Sequence, residues 1–403
     1  MSITDIFSVD IALRTGQNNT HESYLYSHLT GDKIHGVVTV RSHCDIRVDG
    51  IEVSFIGEER TILQTGKAYR QFQDLKYLID DSSFPPGKLF KERHRYQFEF
   101  TFEVPDHLSP DVCNHKITSP TIRQAHLRPP PSFGDPSVSG LGGKLKDDYA
   151  PPTCKILYTI QAALFRNIPV IDKRDILLVH KIKLRVKPAV DEWPPLDLLS
   201  SVNDYCLEAD HAVLDSRTKE EYGQLTVTLE PPKSFRLPLR DPHSLISSTV
   251  NLFLHYKVTG EQSDLPQLQS FRGKLVATTF YTASYYEDVP SKQKDFFGRP
   301  KNYSETHFPP FSYSIASLDW VPAEENCYVA TLLVPITLPR LNFIPSFHTC
   351  LTSRVYALDL RLVVPGASPF YLRAPVHIYA QRDPSALPSY IATIWQSAEY
   401  RYY

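Results

Sequence analysis

Methionine occurs once and glycine only 16 times in 403 residues, and no segment carries the 3.6-residue apolar stripe of a helix ten or more residues long. These shortages argue against a helix bundle and against βαβ folds, which need such helices between their strands. Long apolar runs are missing too. None reaches the roughly eighteen uncharged residues that would span a bilayer, and the nearest, 326–339, holds prolines. The first ten residues carry Asp5 and Asp10 where a secretory leader has basic residues, and a cytoplasmic protein without a transmembrane segment is expected. The net charge of −2 gives no overall attraction for nucleic acid, so no nucleic-acid partner is expected. Six scattered cysteines, with no Cys-x-x-Cys, read as reduced and largely buried thiols. Walker A, Gly-x-Gly-x-x-Gly and Gly-x-Ser-x-Gly are all lacking, so the chain is expected to be no enzyme and to hold no cofactor.

What the chain does have is proline (33), tyrosine (23) and phenylalanine (21), the mixture of short strands joined by Pro-bearing loops. Residues 354–364 set the pattern: Tyr356, Leu358, Leu360, Leu362 and Val364 alternate with Asp359 and Arg361, a strand with one face in a core. Pro339 and Pro345 keep the approach to it extended, with Phe343, Ile344 and Phe347 packing at its mouth. The same two-residue period recurs at 33–40, 51–57, 96–104, 156–164, 182–186, 223–229, 251–256, 275–280 and 328–334. Strands this dense predict an all-β chain of antiparallel sandwiches. Residues 189–220, with Pro194-Pro195 and little periodicity, read as a connection between a first domain (1–188) and a second (221–380), followed by a short tail (381–403). Long loops are expected at 128–150 and 284–313.

Pro345-Ser-Phe-His-Thr-Cys350 followed by Arg354-Val-Tyr356-x-Leu358 resembles the C-terminal domain of fungal arrestin-like proteins. In the first half, Gly31-Asp-Lys-Ile-His-Gly-Val-Val-Thr-Val40, Ile51-Glu-Val-Ser-Phe-Ile-Gly57, Val104-Pro-Asp-His-Leu108, Cys113-Asn-His115 and Asp147-Asp-Tyr-Ala-Pro-Pro152 run in the order of the arrestin N-terminal domain. The resemblance implies two tandem arrestin-type (immunoglobulin-like) β-sandwich domains and a non-enzymatic adaptor in ubiquitin-dependent endocytosis or sorting. Its implied partners are cytoplasmic segments of membrane transporters or receptors and the WW domains of a HECT-type ubiquitin ligase, with peripheral recruitment to the plasma membrane or endosomes. Leu387, Pro388, Ser389 and Tyr390 form the one ligase-binding candidate: Pro388 presets a polyproline turn and Tyr390 fills a pocket two residues on. The alternative is a turn before a packed tail. The chain departs from the family in a tail of about twenty residues, in a motif that begins with leucine where proline is commoner, and in an N-terminal strand without paired lysines.

Two further groups compete with plainer readings. Lys181, Lys183, Arg185 and Lys187 form a basic stripe suited to an acidic partner or lipid headgroups, or simply to guarding an edge strand. Cys113, His115 and His126, and separately His348 and Cys350, hint at a metal. Cys-x-His lacks the usual ligand spacing, however, and no second pair follows, so they read as packing and no metal is expected. Asp147-Asp148 reads as a solvated loop end.

Overall fold

A computed structural model describes residues 7–15, 18–20, 27–64, 66–139, 147–168, 173–190, 204–215, 217–237, 245–259, 265–292, 302–315, 317–339 and 341–381. Strands dominate it; Pro120–His126 is the single α-helix among the described residues. The all-β expectation therefore stands.

Two pairs of sheets each enclose a core. In the first half, a four-stranded sheet ordered Asn18–Thr20, Phe7–Thr15, Lys33–Ser42, Arg95–Glu103 lies against a five-stranded sheet ordered Ser27–His28, Lys173–Val186, Cys154–Ile168, Gly50–Leu63, Gly66–Leu78. The register places Ile11, Val38 and Phe98 side by side on one inner face, and Phe55 opposite Ile160 on the other. All are buried in one cluster with Tyr158 and Phe72. Gly36 pairs with Phe100, whose ring crosses the glycine so closely that a Cβ there would sit 2.3 Å from it.

In the second half the order is Glu208–Leu214, Glu221–Glu230, Ser247–Val258, Cys327–Thr337, Val321–Glu324 for one sheet. The facing sheet is built on Ser270–Tyr281 and Thr352–Val363, with Tyr303–His307 and Phe311–Ser314 on the first of these strands and Phe347–His348 and Phe370–Val376 on the second. Leu275, Leu358 and Ala374 fall in one cross-strand row, and Val227, Leu254 and Ala330 in another. Tyr356, Leu358, Leu360, Leu362 and Val364 are all buried, as their alternation requires.

Three expectations need correction. The 284–313 region carries two strands, Tyr303–His307 and Phe311–Ser314, because Ser-x-Thr and Phe-x-Tyr alternation lets them cover the edge of Ser270–Tyr281. The 189–220 connection contributes Ala189–Val190 and Glu208–Leu214 to sheets, while 191–203 and 216 lie outside the described residues. Asp148 is not solvated: its carboxylate is buried and accepts the amides of Gly134 (2.8 Å) and Ala150 (3.1 Å), pinning a turn at Gly134, which has φ +72°.

Several contacts join the halves, and one inserted segment reaches furthest across. Ile344 and Phe347, from the second half, join the first core, where Phe347 meets Phe133 edge-on at 5.6 Å.

Candidate functional site at the junction

The junction is organised by the turn after Phe347. The Thr349 hydroxyl oxygen accepts the amides of Leu351 (3.2 Å) and Thr352 (2.9 Å), which folds 349–352 tightly, and it donates to Glu59 across the seam. Glu59 lies on the inner side of Gly50–Leu63 and is wholly buried. Burial pushes its carboxyl above the usual carboxylate range, against the pull of Thr349 and of Arg70 at 3.6 Å. Arg70 in turn donates from Nε (3.2 Å) and a terminal nitrogen (2.7 Å) to the Val112 carbonyl, fixing the backbone just before Cys113.

Arg354 has the same strand parity as Tyr356, so its guanidinium is carried into the junction, where it is 1% exposed. It donates to Thr279 Oγ1 (2.6 Å) and to the Tyr149 carbonyl (3.3 Å), and it lies over the rings of Phe133 and Tyr356 at 5.5 and 5.3 Å. Thr61 adds a bond to the Thr282 carbonyl at 2.6 Å.

Beside this polar seam, three side chains from 113–126 and one from the second half converge. Cys113 ends a 3₁₀ turn, Pro110–Val112. His126 closes the helix Pro120–His126, which starts at proline and is capped by Ser119 accepting the Thr121 amide. Cys350 sits in the Thr349 turn of the other half. Their ligand atoms, with that of His115, lie within 4.8 Å of one another. The sulfur of Cys113 is 3.7 Å from that of Cys350, 3.4 Å from His115 Nε2 and 3.7 Å from His126 Nδ1. Cys113, Cys350 and His126 are buried, and half-buried His115 stacks on Tyr285 with ring centroids 4.8 Å apart. The S–H of Cys350 directed at Cys113, and then His126, pull the Cys113 thiol below the ordinary range; the same pairing and burial push Cys350 up.

The sequence reading separated Cys113 from Cys350 and took both for packing. The structure brings them together: Cys350 meets the Cys113, His115 and His126 group from 237 positions away. His348 does not join the group; its Nδ1 pairs with Ser353 Oγ at 2.7 Å.

The basic stripe is also altered by its surroundings. Lys183 pairs with Asp135 (2.8 Å) and donates to Ser137 (2.7 Å), and Arg185 donates to Asn342 (3.1 Å) at the junction. Burial and the neighbouring Arg185 bring the Lys187 amine down to about 8. Lys181 is exposed, so the four do not act as one free cationic face. Leu387, Pro388, Ser389 and Tyr390 lie outside the described residues.

A groove of about 500 Å³ opens on the outer face of the second half, lined by Arg272, Lys274, Asp359, Arg361, Tyr371 and Arg373. Arg373 pairs with Asp359 (3.1 Å) and Glu305 (3.4 Å). Arg272 stands directly opposite Arg361 in the strand register, and among the described residues neither has a carboxylate at ion-pair distance. Sequence alternation placed Arg361 outward but gave no sign of its cross-strand partner.

No family model matches this chain, and no curated protein matches it.

Proposed function

We propose that the chain is a non-enzymatic, cytoplasmic, arrestin-like adaptor, built of two tandem arrestin-type sandwich domains and serving ubiquitin-dependent endocytosis or sorting of membrane transporters or receptors. The observation that carries this reading is the occurrence, in one chain, of two face-to-face sheet pairs around separate cores, joined through a broad buried seam. The order of motifs along the sequence supports it further. Such a body works by bridging. The groove with Arg272, Lys274, Arg361 and Arg373 suits an acidic cytoplasmic segment, which would relieve the unfavourable arginine pair facing across the strands. Leu387 to Tyr390 would engage a WW domain of the ligase, and two weak contacts on one body give selectivity through effective concentration.

The test is a titration of isolated HECT-ligase WW domains against the full chain and its Tyr390→Ala variant. Binding in the micromolar range that disappears in the variant is the expected result. No binding to the wild-type chain removes the ligase arm and leaves a trafficking scaffold that works without ligase contact.

A further inference from the structure

We propose that Cys113, His115, His126 and Cys350 bind one zinc ion, which clasps the two halves of the molecule together. The inference is independent of the adaptor reading, since it rests on the four side chains alone.

Tetrahedral zinc with Zn–S of about 2.3 Å and Zn–N of about 2.0–2.1 Å requires S···S edges of about 3.8 Å and S···N edges of about 3.6 Å. The separations from Cys113 are 3.7 Å to Cys350 Sγ, 3.4 Å to His115 Nε2 and 3.7 Å to His126 Nδ1, each close to a tetrahedral edge, and the remaining pairs lie within 4.8 Å, so a small inward shift of side chains closes the set on one ion. The sulfurs are too far apart to be bonded, and both cysteines are free. His115 is already held as a ligand should be: its Nδ1 donates to the Lys116 carbonyl at 3.0 Å, leaving the Nε2 lone pair facing the sulfurs. Two thiolates and two imidazoles also suit a buried dication electrostatically, because the loaded site is neutral. Loading converts two thiols to thiolates and releases their protons to solvent. Half-buried His115 provides the route of entry. Softer sulfur donors with imidazole and a closed four-ligand set favour zinc over oxygen-seeking cations such as calcium or magnesium.

The clasp joins parts that nothing covalent connects locally. Three ligands come from the loop and helix at 113–126, and Cys350 comes from the inserted turn of the second half. Around it, Thr118 donates its amide to the Glu287 carbonyl (2.9 Å), Tyr286 donates its amide to the Cys350 carbonyl (2.9 Å), and Lys116 pairs with Glu287 (3.2 Å). These bonds hold both walls of the site in register.

The experiment uses the full chain, purified without chelator, with metal content measured by elemental analysis and free thiols by titration. Cobalt(II) substitution supplies a second readout, a thiolate-to-cobalt charge-transfer band with tetrahedral d–d absorption. The expected result is one zinc per chain and that cobalt spectrum. Affinity should fall by more than roughly a hundredfold in His115→Ala and Cys350→Ser, beyond what losing an outer hydrogen-bond partner costs. Asn114→Ala, an exposed neighbour, serves as the control and should bind as the wild type does. His115 is half-exposed, so its variant is expected to fold even if Cys350→Ser does not. Chelation should raise amide exchange in both 110–127 and 347–352. A chain with no zinc and no thiolate–cobalt band overturns the proposal. So does unchanged affinity in His115→Ala, or the loss of two thiols to a disulfide with no metal present.

Discussion

Arg354 and Arg361 lie on the same strand, seven residues apart, in opposite circumstances. Arg354 is sealed in the junction and donates to Thr279 and Tyr149, with Asp148 close enough to feel its charge. Arg361 lies on the outer groove, facing Arg272 across the register and Tyr371 beside it at 5.9 Å. Parity along the strand decides which face each occupies, and the partners that face offers decide its role. The buried arginine holds two halves together; the outer one costs a little stability and leaves positive charge available to a ligand.

The contrast can be broken most sharply by truncating the buried member. Arg354→Ala removes the donor of the Thr279 and Tyr149 bonds and opens a cavity beneath Phe133, so denaturant unfolding should show a loss of about 3 kcal/mol. Mild acid should come next. Burial holds both His28 and His377 down to about 4, so each stays neutral in the fold while the unfolded chain binds protons below about 6.5. Stability should therefore fall as pH drops from 6.5 towards 4, and His377→Gln should flatten the slope in midpoints compared at pH 7 and 4.5, an effect on the order of 2 kcal/mol.

The groove side responds more weakly and in a different window. Glu305 is raised by burial, but Lys292 and then Arg373 outweigh this and hold its carboxyl below the usual range. Its contribution is present above the ordinary glutamate value and is lost as pH falls through the lower folded value. Glu305→Gln should cost about 1 kcal/mol in low salt and less in high salt, as midpoints at two ionic strengths would reveal. Arg361→Ala should be the mildest, within about 0.5 kcal/mol of wild type. If Arg361→Ala cost as much as Arg354→Ala, the contrast between the two faces would be wrong.

Much of the fold was legible because half-buried strands announce themselves by alternation: Arg95–Glu103, Cys154–Ile168 and Thr352–Val363 all do so. Gly66–Leu78 escaped because Tyr69, Tyr77 and Leu78 are exposed among charged residues, leaving no clean apolar face. The helix Pro120–His126 is too short for a periodic stripe, although Ser119-Pro120 is a start signal that could have been read. Arg354 was readable by parity with Tyr356. The Cys113–Cys350 meeting was not, because spacing rules see only ligands that are near in sequence, and this pair is brought together by tertiary packing.

The inserted turn also constrains how the chain is made. Thr349 reaches Glu59 across 290 positions, and Ile344 and Phe347 complete a core whose other buried members precede them by more than a hundred residues. At about 5–20 residues per second of synthesis, a ribosome needs roughly 15–60 s to travel from the first of these partners to the second. For that interval the emerging first half lacks the two apolar side chains that fill its core and the hydroxyl that bonds Glu59, which keeps only Arg70. A chaperone that shields nascent chains would find its client there, and a gene cut after the first half would leave that core permanently incomplete.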